Sequence, residues 1–88
     1  MPEGDSWFTA DITTFPKGRG NFHLPERECR RIGVGDRDVV RLVIQTPEGV
    51  ELFRGEAKLG SGTEVYGQDV IAGLEANQPI KVTVSRMS

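Results

Sequence analysis

Residues 18–36 read GRGNFHLPERECRRIGVGD, and this stretch decides the fold. Gly18 and Gly20 interrupt regular structure and predict a loop. Residues 21–24 then read as a short strand. Pro25 suits the start of a helix, where its missing N–H has no bond to lose. Glu26 and Glu28 sit near the positive end of that helix and Arg30 and Arg31 near its negative end, which matches the macrodipole. Gly33 supplies a left-handed stop. Pro25, Cys29 and Ile32 recur at i, i+4 and i+7, so the helix carries a narrow apolar stripe. About two turns of helix cannot persist alone in water, so the stripe must dock on a sheet.

Outward from this centre, strands dominate. Residues 7–14 alternate, with Phe8, Ala10 and Ile12 against Trp7, Thr9, Asp11 and Thr13, the period of a half-buried strand. Residues 1–6 read as a loose end. Residues 39–45 are rich in β-branched side chains, with Val40, Leu42 and Ile44 on one face and Val39, Arg41 and Val43 on a partly covered other face. Thr46-Pro47-Glu48-Gly49 has the proline and glycine placement of a type I turn, so residues 50–59 return as a partner strand. Residues 60–63 (GSGT) read as a flexible connection, because a phosphate-binding loop would need a lysine and a following Ser or Thr. Residues 67–74 predict a second short helix with Val70, Ile71 and Leu74 inward. Residues 75–78 are a turn, and residues 80–85 alternate as a last strand. Neither an internal repeat nor a low-complexity tract is apparent. The expected architecture is mainly β, a small barrel or pseudobarrel of five to six strands with two short helices, formed by all 88 residues as one domain.

Composition narrows the function classes. Charged residues at 27% and hydrophobic residues at 36% fit a folded chain, not a disordered one. No apolar run approaches the roughly 20 residues of a membrane helix, and MPEGDSW lacks the basic and apolar regions of a signal peptide. The expected compartment is therefore the cytoplasm, with no membrane association. The single cysteine allows no internal disulfide, and one cysteine with one histidine cannot build a thiolate-rich zinc site. No metal, cofactor or catalytic residue is expected. A His23–Cys29 nucleophile pair is conceivable, yet Cys29 lies on the apolar stripe and no acid is placed to orient the histidine.

Charge is unevenly distributed. Seven of the eleven basic residues (Lys17, Arg19, Arg27, Arg30, Arg31, Arg37 and Arg41) fall between positions 17 and 41, against four acids, while the whole chain carries −2. Such polarity predicts a face that meets an anion. Arg27, Arg30 and Arg31 are helical neighbours at i, i+3 and i+4, and their guanidinium forks suit phosphates or guanine edges. Lys17 and Arg19 add charge to a glycine loop whose backbone can approach a phosphate closely. Asn21 and Arg41 are placed to read base edges. The plainer alternative is a solvated helix in which Glu26 pairs with Arg30 and Glu28 with Arg31. Trp7 and Tyr66 could stack on bases, although core or rim is the default for both.

From Gly18 to Leu42 the chain resembles the AbrB/MazE-type (SpoVT-like) transition-state regulators and antitoxins. The shared pattern is a basic glycine turn, a short strand ending in proline, a Pro-x-x-x-Arg type of helix, and then Leu-Gly-Ile, Gly-Asp and a strand. Here it stands as GRGNFHLPERECRRIGVGD followed by RDVVRL, about 25 residues. The resemblance implies hairpins interlaced between two chains and DNA contacts from Arg19, Arg27, Arg30 and Arg31, with Lys17 assisting. Glu26 stands where the family usually has a basic residue, and the chain continues past the end of that unit. The second half looks like the DNA-binding pseudobarrels of plant transcription factors and some restriction-enzyme recognition domains. The expected function is double-stranded DNA binding as a regulator, an antitoxin or the recognition module of a larger enzyme, with a homodimer or a partner protein possible. The alternative is a protein-interaction module with no nucleic-acid role, docking through the edge of the hairpin at residues 39–59 or through an exposed apolar patch.

Overall fold

A computed structural model describes residues 6–87, so the expected loose end lies almost wholly outside the described residues. The chain forms β1 (Trp7–Thr13), β2 (Phe22–His23), α1 (Glu26–Arg31), β3 (Val39–Gln45), β4 (Glu51–Lys58), β5 (Glu64–Val65), α2 (Gln68–Ile71) and β6 (Pro79–Arg86), with a 3-10 turn at Ser61–Thr63 before β5. The architecture is mainly β, with six strands and two short helices. Four strands form one antiparallel sheet in the order β1-β6-β3-β4, and β2 pairs with β5 in a second.

The mainly β fold stands as expected, and it is not a closed barrel: no ladder joins the two sheets. β1 and β4 each pair on one side only, and β2 and β5 are two residues long. The extended backbones of Pro25 and Gly67 lead straight from these short strands into the helices, leaving no ladder to join the sheets. Side chains fill the gap instead. Val40, Leu42 and Ile44 of β3 and Ile80, Val82 and Val84 of β6 turn toward a core shared with Phe8, Phe22, Leu24, Cys29, Ile32, Leu59, Val65, Val70, Ile71 and Leu74. Alternation in the strands and the i, i+3 stripe of each helix therefore converge on one buried layer.

The fold is built twice, which corrects the reading of a chain without repeats. β1-β2-α1-β3 and β4-β5-α2-β6 follow the same path, and exchanging the halves leaves the order β1-β6-β3-β4 unchanged. The match extends to single hydrogen bonds. Asp38 Oδ2 accepts from Gly35 N at 2.8 Å, and forty residues on Gln78 Oε1 accepts from Glu75 N at 2.7 Å. Asp38 O accepts from Leu59 N and Gln78 O from Thr14 N, both at 2.9 Å. Arg37 and Asn77 hold the same left-handed turn, at φ of 67° and 59°. One local expectation also changes. Residues 60–63 are an ordered turn, not a flexible connection: Thr63 is buried, its hydroxyl donates to Leu24 O at 3.2 Å and its N–H donates to Asp36 Oδ1 at 3.1 Å. The strand that follows, β5, carried no expectation, since two residues give no period to read.

Candidate anion-binding surface

α1 is held as the sequence predicts. Cys29 and Ile32 are buried, and Gly33 turns left-handed at φ 80°. Pro25 stands at the N-cap, so the N–H it lacks belongs to a position with no helical partner. The opposite side of the helix presents Arg27, Arg30 and Arg31 to solvent. Two of the three are paired. Arg30 reaches Glu26 at 3.7 Å and Arg31 reaches Glu28 at 2.9 Å, the pairing of the plainer alternative. Arg41, on the outer face of the main sheet, lies 3.7 Å from Glu56 on β4. Asn21 is half-buried, and its side-chain amide donates to Glu64 Oε2 at 2.8 Å, which joins the strands of the small sheet instead of facing a ligand. Lys17, Arg19 and Arg27 are exposed and make no ion pair with any described residue.

The structure separates two groups that the sequence places side by side. The glycine loop packs beside α2, not on α1: Gly20 is buried at φ 102°, and a Cβ there would stand 2.6 Å from the Cβ of Leu74, three residues past α2. Arg19 lines a shallow cleft with Gln68, Ile71, Ala72 and Glu75. Arg31 lies at the other end of β1, where its Nη2 donates to Trp7 O at 3.4 Å. Six strand steps from Trp7 to Thr13 put these ends about 20 Å apart. The cations thus form two clusters, one at each end of β1, in place of one continuous patch.

His23 and Cys29 do not form a reactive pair. His23 is exposed, and its Nδ1 donates to Gly62 O at 2.8 Å while its ring tilts against Phe15. Cys29 is fully buried; burial pushes its thiol pKa up, a hydrogen bond with Thr63 offsets part of that, and the charges of Glu26 and Glu28 push it further up. A protonated, buried thiol is a core side chain. Trp7 and Tyr66 are both 48% exposed, at the rim and not in the core. Among the described residues no helix is long and apolar enough to cross a membrane, and no group of three His, Cys, Asp or Glu is placed to hold a metal ion.

Two further cations, Arg37 and Lys58, come together away from both clusters. They flank a second cleft, and neither makes an ion pair with a described residue. Lys58 lies far from the basic span in sequence and reaches this place only because β4 pairs with β3.

Comparison with known proteins bears on the fold. No protein-family model matches the chain, and no curated protein does. Among solved structures, it is similar to the solution structure of PHS018 from Pyrococcus horikoshii, with a TM-score of 0.59 and 24% identity over 96% of each chain. The likeness spans both halves and is one of fold.

Proposed function

We propose that the chain binds double-stranded DNA through its phosphate backbone, as a regulator, an antitoxin or the recognition module of a larger enzyme. The supporting observation is the exposed side of α1, where Arg27 is unpaired and Arg30 is held only by a 3.7 Å contact with Glu26. Exposed pairs of this kind contribute about 0–1 kcal/mol, so a phosphate can displace the carboxylate with little loss. Lys17 and Arg19 would meet a second stretch of backbone about 20 Å from Arg31, so the two clusters suit a contact that bridges a groove. The resemblance of residues 18–42 to the AbrB/MazE-type domains supports the same reading. Asn21, engaged with Glu64, contributes little to base reading here, which leaves Arg41 as the base-reading candidate.

Fluorescence anisotropy with a mixed-sequence duplex at several salt concentrations tests the proposal. Binding should weaken as salt rises, and Arg27→Ala/Arg30→Ala should lower the slope of log K against log salt by about two phosphate contacts, at about 0.9 each. Lys17→Ala/Arg19→Ala should act independently and add to it. Binding unchanged in both double variants would remove the proposal. One observation favours the rival, a protein-docking module: Trp7, Val39 and Met87 are exposed at the same end of the outer sheet face. A self-associating chain that Trp7→Ser makes monomeric, with no duplex binding, would support that reading instead.

A further inference from the structure

The strongest unassigned feature is the cleft between the turn at Arg37 and the loop joining β4 to β5. It has a volume of about 390 Å³, and its lining includes Arg37, Lys58, Gly60, Ser61, Glu64 and Tyr66. That volume is near the lower end for small-molecule sites. None of its residues belongs to the basic glycine loop or to α1.

Three observations give the cleft a chemistry. Its two cations make no ion pair with any described residue, as is also true of Lys17, Arg19 and Arg27, so no carboxylate of the described residues competes for them. Arg37 also keeps a left-handed backbone at φ 67°, a conformation that is costly for most side chains and readily adopted by asparagine. The matching turn of the second half carries Asn77 at φ 59°, so the fold needs no arginine there. The third observation is the packing of Tyr66. A Cβ at Gly60 would stand 3.0 Å from the Tyr66 ring, so the glycine makes room for that ring beside the loop, with 48% of the residue still exposed.

We propose that this cleft binds a small phosphate monoester of the mononucleotide class. Arg37 and Lys58 take the phosphate, whose two negative charges outweigh the single carboxylate present. Glu64 is held in place by the Asn21 amide at 2.8 Å, and its other oxygen accepts from the sugar hydroxyls. The exposed face of Tyr66 stacks on the planar base. Ser61 supplies a further hydroxyl at the rim. A bare polyanion would use the cations but leave Glu64 and Tyr66 without a role, so the combination favours a small ligand with a charged end, a hydroxylated middle and a flat end.

The test is an amide chemical-shift titration of the full chain with adenosine monophosphate, inorganic phosphate and adenosine at 0.15 M salt. The nucleotide should give saturable shifts at Arg37, Ser61, Glu64 and Tyr66, with affinity at least tenfold above either fragment. Arg37→Asn, which places in this turn the residue of its counterpart, should keep the spectrum of the folded chain and weaken the nucleotide about tenfold or more. Lys58→Gln should do the same, and Lys81→Gln should change nothing. Equal affinity for phosphate and nucleotide, equal affinity for adenosine and nucleotide, or affinity indifferent to Arg37→Asn and Lys58→Gln would each overturn the proposal. Loss of duplex binding in Arg27→Ala/Arg30→Ala with the nucleotide shifts intact would separate this site from the DNA-binding reading.

Discussion

In the first half of the chain α1 carries Arg27, Arg30 and Arg31 on its outer side, while in the second half α2 carries Gln68 and Asp69 and no cation. The buried sides of the two helices nonetheless do the same work, Cys29 and Ile32 in one and Val70 and Ile71 in the other. The turns before β3 and β6 share a hydrogen bond, made by Asp38 in one and by Gln78 in the other. A scaffold used twice holds the core terms equal and lets the solvent face vary, because surface substitutions cost little and core ones cost a great deal. The difference between the halves therefore marks where a partner would act, on the arginine-bearing half and at the Arg37 turn.

The sharpest way to break this comparison is through the core. Phe22, fully buried at the pairing of β2 with β5, should lose about 3–5 kcal/mol of stability on Phe22→Ala, read by urea or thermal unfolding. Should that loss fall below about 1 kcal/mol, the small sheet would not be part of the shared core. Next in size is Gly20→Ala, where a left-handed backbone and a Cβ 2.6 Å from Leu74 combine. It should cost about 2–4 kcal/mol, against about 1 kcal/mol for Gly49→Ala, where φ is 98° and the space is open. Equal losses would show that the glycine loop is not anchored beside α2.

A matched pair sharpens the repeat itself. Asp38→Ala and Gln78→Ala each remove one side-chain bond to a turn N–H, and each should cost about 1 kcal/mol. A large inequality would mean that the turns are alike only in outline. Smaller still, Cys29 should resist alkylation in the native chain at neutral pH and react once urea unfolds it. Because burial raises its folded pKa above the unfolded one, its contribution to stability is complete below the ordinary thiol pKa and is lost as pH rises through the raised value. Immediate labelling of the folded chain would place Cys29 outside the core. The smallest effect is Arg37→Asn, which should raise stability by up to about 1 kcal/mol as the left-handed turn is relieved.

Much of this was legible in the residues. The period of two in residues 7–14, 39–45 and 80–85, the proline and glycine bounding α1, and the 46–49 turn each reflect neighbours along the chain. The turn forms as read, with Gly49 N donating to Thr46 O at 2.9 Å. The repeat left a faint trace, since Gly33-Val34 and Gly73-Leu74 stand forty residues apart, as do Val40-Arg41-Leu42 and Ile80-Lys81-Val82. The trace is faint because the helices differ in polarity. The candidate site was legible only in part. Nearness in sequence suggested that Lys17, Arg19 and the α1 arginines share a patch, yet β1 carries the loop to the far end of the sheet.

The sequence by itself determined the long strands β1, β3, β4 and β6, the apolar faces of β1, β3 and β6, where α1 starts and stops, and that positive charge gathers between residues 17 and 41. These follow from side-chain period and local backbone preference, which act over a few residues. Tertiary structure alone decided that two sheets face one another without closing, that the halves match, that Glu56 reaches Arg41, and that Arg37 and Lys58 line one cleft. Those outcomes depend on strand pairing between distant segments, and hydrogen bonds and packing at that range leave no periodic mark in the chain.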